Sequence, residues 1–214
     1  MSEFFKNADG MIIVENLIVC IKANVEYLSQ VDGAIADGDH GINMQKGFTI
    51  TERRMQGQNL NLTDSMNLLG DVLVSDIGGS MGPIYGSYFI ELGDGCRGTE
   101  NVDKHTYLKM YRTALDAVLS LGKAKLGDKT MLDTLIPAVN SLEKAVSEDR
   151  SFKECLELMS AAAVDGMNAT KDMVAKIGRA SRLGERSRGV LDAGAVSCQL
   201  IIVDMTKSVL ALIA

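Results

Sequence analysis

The sequence predicts an all-α fold of about eight helices in a single domain over 1–214. Hydrophobic residues recur at three- and four-residue steps along most of the chain, as they do on one face of a helix. Only two prolines occur among the 214 residues, and the β-branched residues do not alternate with polar ones as in a half-buried strand. Because short loops join the predicted helices and no linker or repeat divides the chain, we expect sequence neighbours to pack antiparallel.

The chain up to residue 148 contains six predicted helices, of which the first has the clearest pattern. Its apolar residues fall on one face and predict a single amphipathic helix over 11–29. Weaker patterns predict the next three helices, over 41–56, 64–77 and 81–92. Strong patterns then predict a helix over 103–121, which Gly122 is suited to end, and another over 131–148.

Two later helix starts carry side-chain capping signals. Ser151 and Glu154 have the spacing of a capping box, in which the serine hydroxyl and the glutamate each bind a backbone N–H group that the helix leaves unpaired. This box predicts a long helix that ends at Gly178. Asp192 is suited to cap the last predicted helix, over 193–213.

Charge and hydropathy exclude several classes of protein. The chain carries 22 basic and 28 acidic residues, a net charge of −6, so we expect no nucleic-acid partner and no membrane association. The most apolar stretch, 196–214, is interrupted by Asp204 and Lys207 before it reaches the ~20 apolar residues that a membrane span needs. This balance suits a soluble enzyme that recruits divalent cations locally.

The four cysteines indicate a reduced, cytoplasmic setting. They lie far apart, without the close spacing of a zinc or redox centre. Three of them fall in helical apolar patterns and are expected to be buried, whereas Cys96 lies in a glycine-rich loop and is expected to be exposed. The segment 1–22 lacks the basic start and small-residue cleavage site of a secretory signal peptide.

The 21 glycines gather where one predicted helix ends and the next begins. The clusters are 33–47, 78–98, 122–127 and 178–194. Glycine-rich backbone and helix N-termini bind phosphates, because their N–H groups point outward. The clusters therefore predict one site built from several interhelical loops, although glycines that merely turn the chain explain any single cluster as well.

An acidic loop (32–39) between the first two predicted helices contains Asp32, Asp37 and Asp39. Three carboxylates on a flexible loop suit Mg²⁺, which prefers oxygen ligands and leaves room for phosphate oxygens. An EF-hand is excluded, because its twelfth position holds Asn43 or Phe48 instead of glutamate. A solvated turn that caps the following helix fits the composition equally well.

The two histidines have different surroundings. His40 directly follows the acidic loop, and its position suits a helix cap, a phosphate contact or a phosphohistidine. Asn43 lies one helical turn later and faces the same region. His105 lies near a predicted helix start, and we interpret it as a surface residue.

Four motifs make the chain resemble a known family over nearly its whole length. They are Asp37-Gly38-Asp39-His40-Gly41-Ile42-Asn43-Met44, Gly78-Gly79-Ser80-Met81-Gly82-Pro83-Ile84-Tyr85-Gly86, Gly127-Asp128-Lys129-Thr130-Met131-Leu132-Asp133, and Gly178-Arg179-Ala180-Ser181 with Leu183-Gly184-Glu185-Arg186-Ser187. In this order and at these separations they resemble the ADP-binding subunit of the phosphotransferase-system dihydroxyacetone kinase, the DhaL type. Any one motif alone would be unspecific.

The resemblance implies a barrel of eight antiparallel helices with a nucleotide, ADP or ATP, at one end. It implies that Asp32, Asp37 and Asp39 bind two Mg²⁺ ions that hold the nucleotide phosphates. No further catalytic side chain is expected beyond this metal–nucleotide centre. The implied nucleotide contacts are His40, Gly41, Asn43, Ser80, Met81, Gly122, Thr130, Met131, Arg179, Asp192, Ala193 and Gly194.

Three departures from the family pattern affect this reading. Met81 stands where many relatives carry serine, but only its backbone N–H is needed for a phosphate. Ala193 replaces a common proline, which loosens the turn before the last helix. Arg182 and Arg188 add charge to a basic stretch in which Arg179 is the strongest candidate for a phosphate contact.

The resemblance also implies a division of labour among subunits. Bound ADP would stay in place, accept a phosphoryl group from a phosphohistidine on a DhaM-type partner, and pass it to dihydroxyacetone on a separate DhaK-type subunit. The chain has no Walker glycine–lysine loop, so metal ions and helix N-termini would hold the phosphates. Two alternatives stay open: a component of an ATP-dependent kinase whose ATP exchanges, and a non-catalytic paralogue that binds a transcriptional regulator. A homodimer is also left open.

Overall fold

The computed structural model describes residues 2–214, and α-helices make up most of this part of the chain. The nine α-helices of this part are α1 (Met11–Ala23), α2 (Val25–Gly33), α3 (His40–Met55), α4 (Leu62–Asp76), α5 (Met81–Gly95), α6 (Lys104–Leu121), α7 (Leu132–Ser147), α8 (Phe152–Ala169) and α9 (Ala193–Ile213). Three short 3-10 segments are Asn7–Asp9, Thr170–Asp172 and Arg179–Ser187. The predicted all-α fold is confirmed, and α3 to α7 and α9 lie within three residues of their predicted bounds.

Each helix from α4 to α8 packs on the next one along the chain, and α9 packs on both α8 and α1. One hydrophobic core runs through all of these contacts. Its largest fully buried side chains include three tyrosines and three phenylalanines: Tyr88, Tyr107, Tyr111, Phe48, Phe89 and Phe152. A barrel arrangement, which the resemblance implies, stays a prediction.

The predicted single helix over 11–29 is wrong, because the helix is interrupted at Asn24 and a second helix begins at Val25. The Asn24 side chain donates to the Cys20 carbonyl oxygen at 2.8 Å, and its backbone N–H donates to Ile21 at 3.1 Å. A side chain that binds the backbone in this way competes with the helix ladder. The apolar spacing continues across the break, so periodicity alone did not reveal it.

Both predicted caps are confirmed. The Glu154 backbone N–H donates to the Ser151 hydroxyl at 3.3 Å, and the Ser151 N–H donates to the Glu154 carboxylate at 3.0 Å. The Asp192 carboxylate accepts from the Ala195 N–H at 2.7 Å. These bonds satisfy donors that the first turns of α8 and α9 leave unpaired.

The predicted end of the capped helix at Gly178 is wrong, because α8 ends at Ala169. The Thr170 hydroxyl donates to the Met167 carbonyl at 2.7 Å, and a short 3-10 turn follows. Met173 is then extended, with φ −86° and ψ 154°. The Thr170 side chain thus binds the backbone of the last turn and competes with continuation of the helix.

Two three-residue strands, β1 (Phe4–Lys6) and β2 (Asn101–Asp103), form an antiparallel pair that the sequence did not predict. They bury Phe5 against Val102. Close by, the Ser2 N–H donates to the Ile213 carbonyl at 2.7 Å. The pair therefore lies near the carboxyl end of α9.

The predicted exposure of Cys96 is wrong. Cys96 is buried with its sulfur 3.3 Å from the Thr63 hydroxyl, which corrects the expected exposure.

The helix α9 is, within residues 2–214, the one helix long and apolar enough to cross a membrane by length and composition. Its side chains pack against α1, α7 and α8, and a core helix meets the same criterion, so we interpret α9 as a core helix.

Candidate functional site

Contacts between helix ends join the motif-bearing loops of the chain. His40 at the start of α3 and Tyr85 on α5 both contact the Ser197 hydroxyl on α9. Arg179 forms an ion pair with Asp37 on the acidic loop. Arg179 belongs to the segment between α8 and α9, residues 170–191, which we call the basic loop. The motifs that are far apart in the sequence therefore approach one another at the beginnings of α3, α5 and α9.

The acidic loop presents its carboxylates differently at each position. Asp37 and Asp39 are exposed, whereas Asp32 at the end of α2 is half-buried and accepts from the His40 backbone N–H at 3.4 Å. Gly38 has φ +80°, a conformation that favours glycine and lets the loop reverse. Within residues 2–214 no three His, Cys, Asp or Glu side chains lie close enough to hold one metal ion. Joint metal binding by the three aspartates therefore stays a prediction.

His40 is held by a chain of hydroxyl groups. Its Nε2 lies 2.8 Å from the Ser197 hydroxyl, which lies 2.6 Å from the Tyr85 hydroxyl. Tyr85 also donates to the Gly194 carbonyl at 3.0 Å. Burial lowers the pKa of His40 to about 4, so its imidazole is neutral near pH 7. A neutral, oriented imidazole contacts a ligand by hydrogen bonding and contributes no full charge.

Sequence reasoning assigned no role to Ser197 and Tyr85. Tyr85 lies inside a motif that was recognised, and Ser197 is a polar residue on the buried face of an apolar helix. A buried polar residue needs a hydrogen-bond partner, and this signal alone would have marked Ser197. The partner itself, 157 positions away, depends on the fold.

Gly41 fixes how α3 leaves the acidic loop. A Cβ at this position would lie 2.2 Å from the Val25 carbonyl oxygen and 2.6 Å from the Ser29 hydroxyl. Only glycine allows α3 to begin this close to α2. Asn43 is half-buried one turn later, and its N–H donates to the Asp39 carbonyl at 2.9 Å. Phosphate contacts by Gly41 and Asn43 stay predictions.

The start of α5 leaves backbone donors without a side-chain cap. Ser80 precedes the helix and makes no capping hydrogen bond, and Met81 is its half-buried first residue. Gly79 has φ +75° with nothing near its Cβ position. Unpaired N–H groups at a helix start are suited to bind phosphate.

The segment between α6 and α7 contributes three of the predicted nucleotide residues. Gly122 is exposed and extended where α6 ends. The Thr130 N–H donates to the Asp133 carboxylate at 2.7 Å. Met131 is buried, and a Cβ at Gly194 would lie 3.4 Å from its backbone nitrogen. Asp133, to which sequence reasoning assigned no role, therefore shapes this segment beside the start of α9.

The turn before α9 links the start of that helix to the basic loop through Asp192. Asp192 caps the helix, and its backbone N–H donates to the Thr170 hydroxyl at 3.2 Å. Burial, with a smaller contribution from the carboxylates of Asp133 and Asp32, raises the pKa of Asp192 to about 7. Ala193 is buried beside it.

A family model described as "DAK2 domain" matches residues 34–207. The chain belongs to the DAK2-domain family. The "PEP-dependent dihydroxyacetone kinase, ADP-binding subunit DhaL" of Escherichia coli K12 is 36% identical over 178 residues, which cover 83% of this chain and 85% of that protein. A DhaL subunit of dihydroxyacetone kinase 1 from Listeria innocua is 35% identical over 189 residues, 88% of this chain and 89% of that protein. The DhaL-type resemblance and the kinase-subunit class are confirmed.

Some proteins similar to this chain are much longer. The D-erythrulose kinase of Mycolicibacterium smegmatis is 34% identical over 178 residues, which cover 82% of this chain and 31% of that protein. The crystal structure of the C. freundii dihydroxyacetone kinase with AMP-PNP and Mg²⁺ aligns with a TM-score of 0.69 at 23% identity, over 97% of this chain and 35% of that chain. This likeness confirms the fold.

Proposed function

We propose that this chain is the ADP-binding subunit of a phosphoenolpyruvate-dependent dihydroxyacetone kinase. When bound, ADP would serve as the phosphoryl carrier between a phosphohistidine on a DhaM-type partner and dihydroxyacetone on a DhaK-type subunit. The observation that carries the proposal is the contact of His40, Tyr85 and Ser197, which draws the starts of α3, α5 and α9 together. The relatives that this chain matches over most of their length are named ADP-binding subunits.

The acidic loop offers the donor set that Mg²⁺ requires. Its three carboxylates are hard oxygen ligands, and Asp37 and Asp39 are exposed on a loop that turns at Gly38. Asp32, Asp37 and Asp39 would hold two Mg²⁺ ions, which neutralise phosphate charge when bound. Arg179 now pairs with Asp37. The pair is exposed, so little free energy opposes a change of partner.

The remaining predicted site residues would bind and orient the nucleotide. The neutral imidazole of His40 and the uncapped N–H groups at Ser80 and Met81 would contact phosphates. Gly41 and Asn43 would face the same phosphates. Gly122, Thr130 and Met131 would line the nucleotide, and the turn of Asp192, Ala193 and Gly194 would close the pocket with Arg179. Phosphoryl transfer needs positioning and charge neutralisation more than covalent help, and these groups supply both.

Native mass spectrometry of the purified protein tests the proposal. We expect a mass increase that matches ADP and two magnesium ions, and its loss in Asp37→Asn. Asp116→Asn, an exposed aspartate on α6, is the matched control and should retain the ligand. A ligand-free mass without magnesium-dependent nucleotide binding would contradict the proposal.

A kinase component with freely exchanging ATP is the second candidate. The similarity to D-erythrulose kinase favours it, because there the matching region is part of a longer kinase chain. Gel filtration separates the two candidates. ADP that stays with the protein through the column favours a resident cofactor, whereas complete loss of nucleotide favours the exchanging kinase.

A further inference from the structure

The side chain of Lys129 is buried, with 1% of its surface exposed, and it points into the base of the basic loop. Its ammonium group donates to four backbone carbonyl oxygens of that loop. They belong to Thr170 at 2.9 Å, Met173 at 3.3 Å, Ser187 at 2.7 Å and Val190 at 2.5 Å. Carbonyl oxygens only accept hydrogen bonds, so this arrangement requires the three protons of the charged ammonium.

Local backbone geometry turns Lys129 inward. Its φ is +64°, a conformation that non-glycine residues rarely adopt. The Asp133 carboxylate holds the adjoining backbone by accepting from Gly127 at 2.5 Å and from Thr130 at 2.7 Å. A residue held in such a conformation is stabilised by its surroundings, and here the surroundings are the four carbonyl groups.

The basic loop has few apolar contacts of its own. Of residues 170–191, only Thr170, Ala175 and Ser187 are buried. The Gly189 N–H donates to the Lys171 carbonyl at 2.8 Å and closes the base of the loop. Polar contacts therefore hold this segment, and Lys129 provides four of them from one atom. Segments with so little buried apolar surface open easily when such contacts are removed.

We propose that Lys129 is a positioning residue that holds the basic loop closed and thereby slows the release of bound nucleotide. The loop carries Arg179, which reaches Asp37 on the acidic loop. Lys129 itself acts from below the loop through backbone oxygens. Its effect on release rests on the proposed function, whereas its effect on the loop does not.

Hydrogen–deuterium exchange of the nucleotide-free protein tests whether Lys129 holds the basic loop closed. In Lys129→Met we expect the amides of 170–191 to exchange at least about tenfold faster, with unchanged exchange in α5 and α6, because the loop loses its shared donor. Lys125→Met removes an exposed ammonium four positions earlier and should exchange like the wild type. Wild-type exchange of the basic loop in Lys129→Met would overturn the proposal, whether or not the protein binds nucleotide.

The dissociation rate of a fluorescent ADP analogue in the presence of Mg²⁺ tests whether Lys129 slows the release of bound nucleotide. We expect about tenfold faster release from Lys129→Met and no change in Lys125→Met. Faster loop exchange with an unchanged release rate would overturn the link to nucleotide retention. If the wild type binds no analogue, the proposed function and this link both fail, while the exchange result still decides the role of Lys129 in the loop.

Lys129→Arg keeps the test decisive if Lys129→Met does not fold. Arginine retains the buried charge, but its planar guanidinium cannot direct protons at carbonyl groups from several sides. A folded Lys129→Arg protein with a fast-exchanging basic loop supports the proposal. Simultaneous loss of all helices in both variants, followed by circular dichroism, would overturn it, because Lys129 would then be a residue of the core.

Discussion

The helical body and the basic loop are stabilised by different interactions. Around Phe89 on α5, aromatic rings pack edge to face, with Phe48 at a centroid distance of 5.9 Å and Tyr88 at 5.1 Å. The basic loop instead depends on bonds such as those of Lys129 to carbonyl oxygens. Apolar burial is non-directional and tolerates shifts, whereas a hydrogen-bonded loop holds one geometry until a bond is lost. Stability is therefore concentrated in the body, and adjustable contacts are concentrated at the candidate site.

The largest expected effect is a loss of stability in the helical body, and it tests whether apolar packing holds the body together. Phe89→Ala removes a fully buried ring and should lower the free energy of unfolding by about 3–5 kcal/mol, because it leaves a cavity. Urea denaturation measures this change. Val19→Ala, at a side chain 67% exposed, is the control and should cost far less. Equal costs for the two variants would mean that the body is not held by apolar packing.

The next effect concerns the acidic loop, where one substitution should lower phosphoryl transfer strongly and change the free energy of unfolding little. Asp37→Asn should reduce phosphoryl transfer by at least about 100-fold, because it removes a proposed metal ligand. The unfolding free energy should change by less than about 1 kcal/mol, because the ion pair with Arg179 is exposed. Reconstituted transfer to dihydroxyacetone and urea denaturation measure the two effects. Wild-type transfer rates would remove Asp37 from the metal site.

The smallest expected effect concerns pH and the cap of α9. Since the pKa of Asp192 is raised to about 7, the folded protein retains a proton that the unfolded chain releases above pH ~4. This carboxyl group therefore lowers stability as pH rises from 4 to 7. Asp192→Asn keeps a capping side chain without the titration, so its stability advantage over the wild type should grow by about 1–3 kcal/mol across that range.

Urea denaturation of the nucleotide-free proteins at several pH values measures the Asp192 effect. Asp103, which caps α6, supplies a matched control, because its pKa is lowered by hydrogen bonds from Thr106 despite some burial. Asp103→Asn should show no growing advantage over the same pH range. A constant difference between Asp192→Asn and the wild type would show that the Asp192 carboxyl group is not perturbed in the fold.

The same contrast explains what the sequence could predict. Apolar periodicity located α3 to α7 and α9, because helices in the body form where a face can be buried. It missed the break at Asn24 and the end of α8 at Ala169, where side-chain hydrogen bonds to the backbone decide. The two short strands gave no periodic signal, because three residues are too few for alternation.

The candidate site was predicted in its motifs but not in its connections. The sequence marked His40 and Arg179, yet not the serine, tyrosine and lysine that organise the loops around them. Ser197 lies 157 positions from His40, and Lys129 lies 41 to 61 positions from the carbonyl groups it binds. Partners so distant in sequence are set by tertiary packing. The family resemblance supplied the roles of the aspartates, and their joint coordination of metal is still a prediction.

The bond between Ser2 and Ile213 has an architectural consequence. The helix α9 spans 21 residues, about 30 Å, from the candidate site to this bond. Extra polypeptide at either terminus would therefore leave the domain on the side away from the candidate site. A unit with this layout can be joined to other domains without obstructing its own entrance, and longer kinases contain a matching region as about a third of their length. Affinity tags and fluorescent labels belong at the same end.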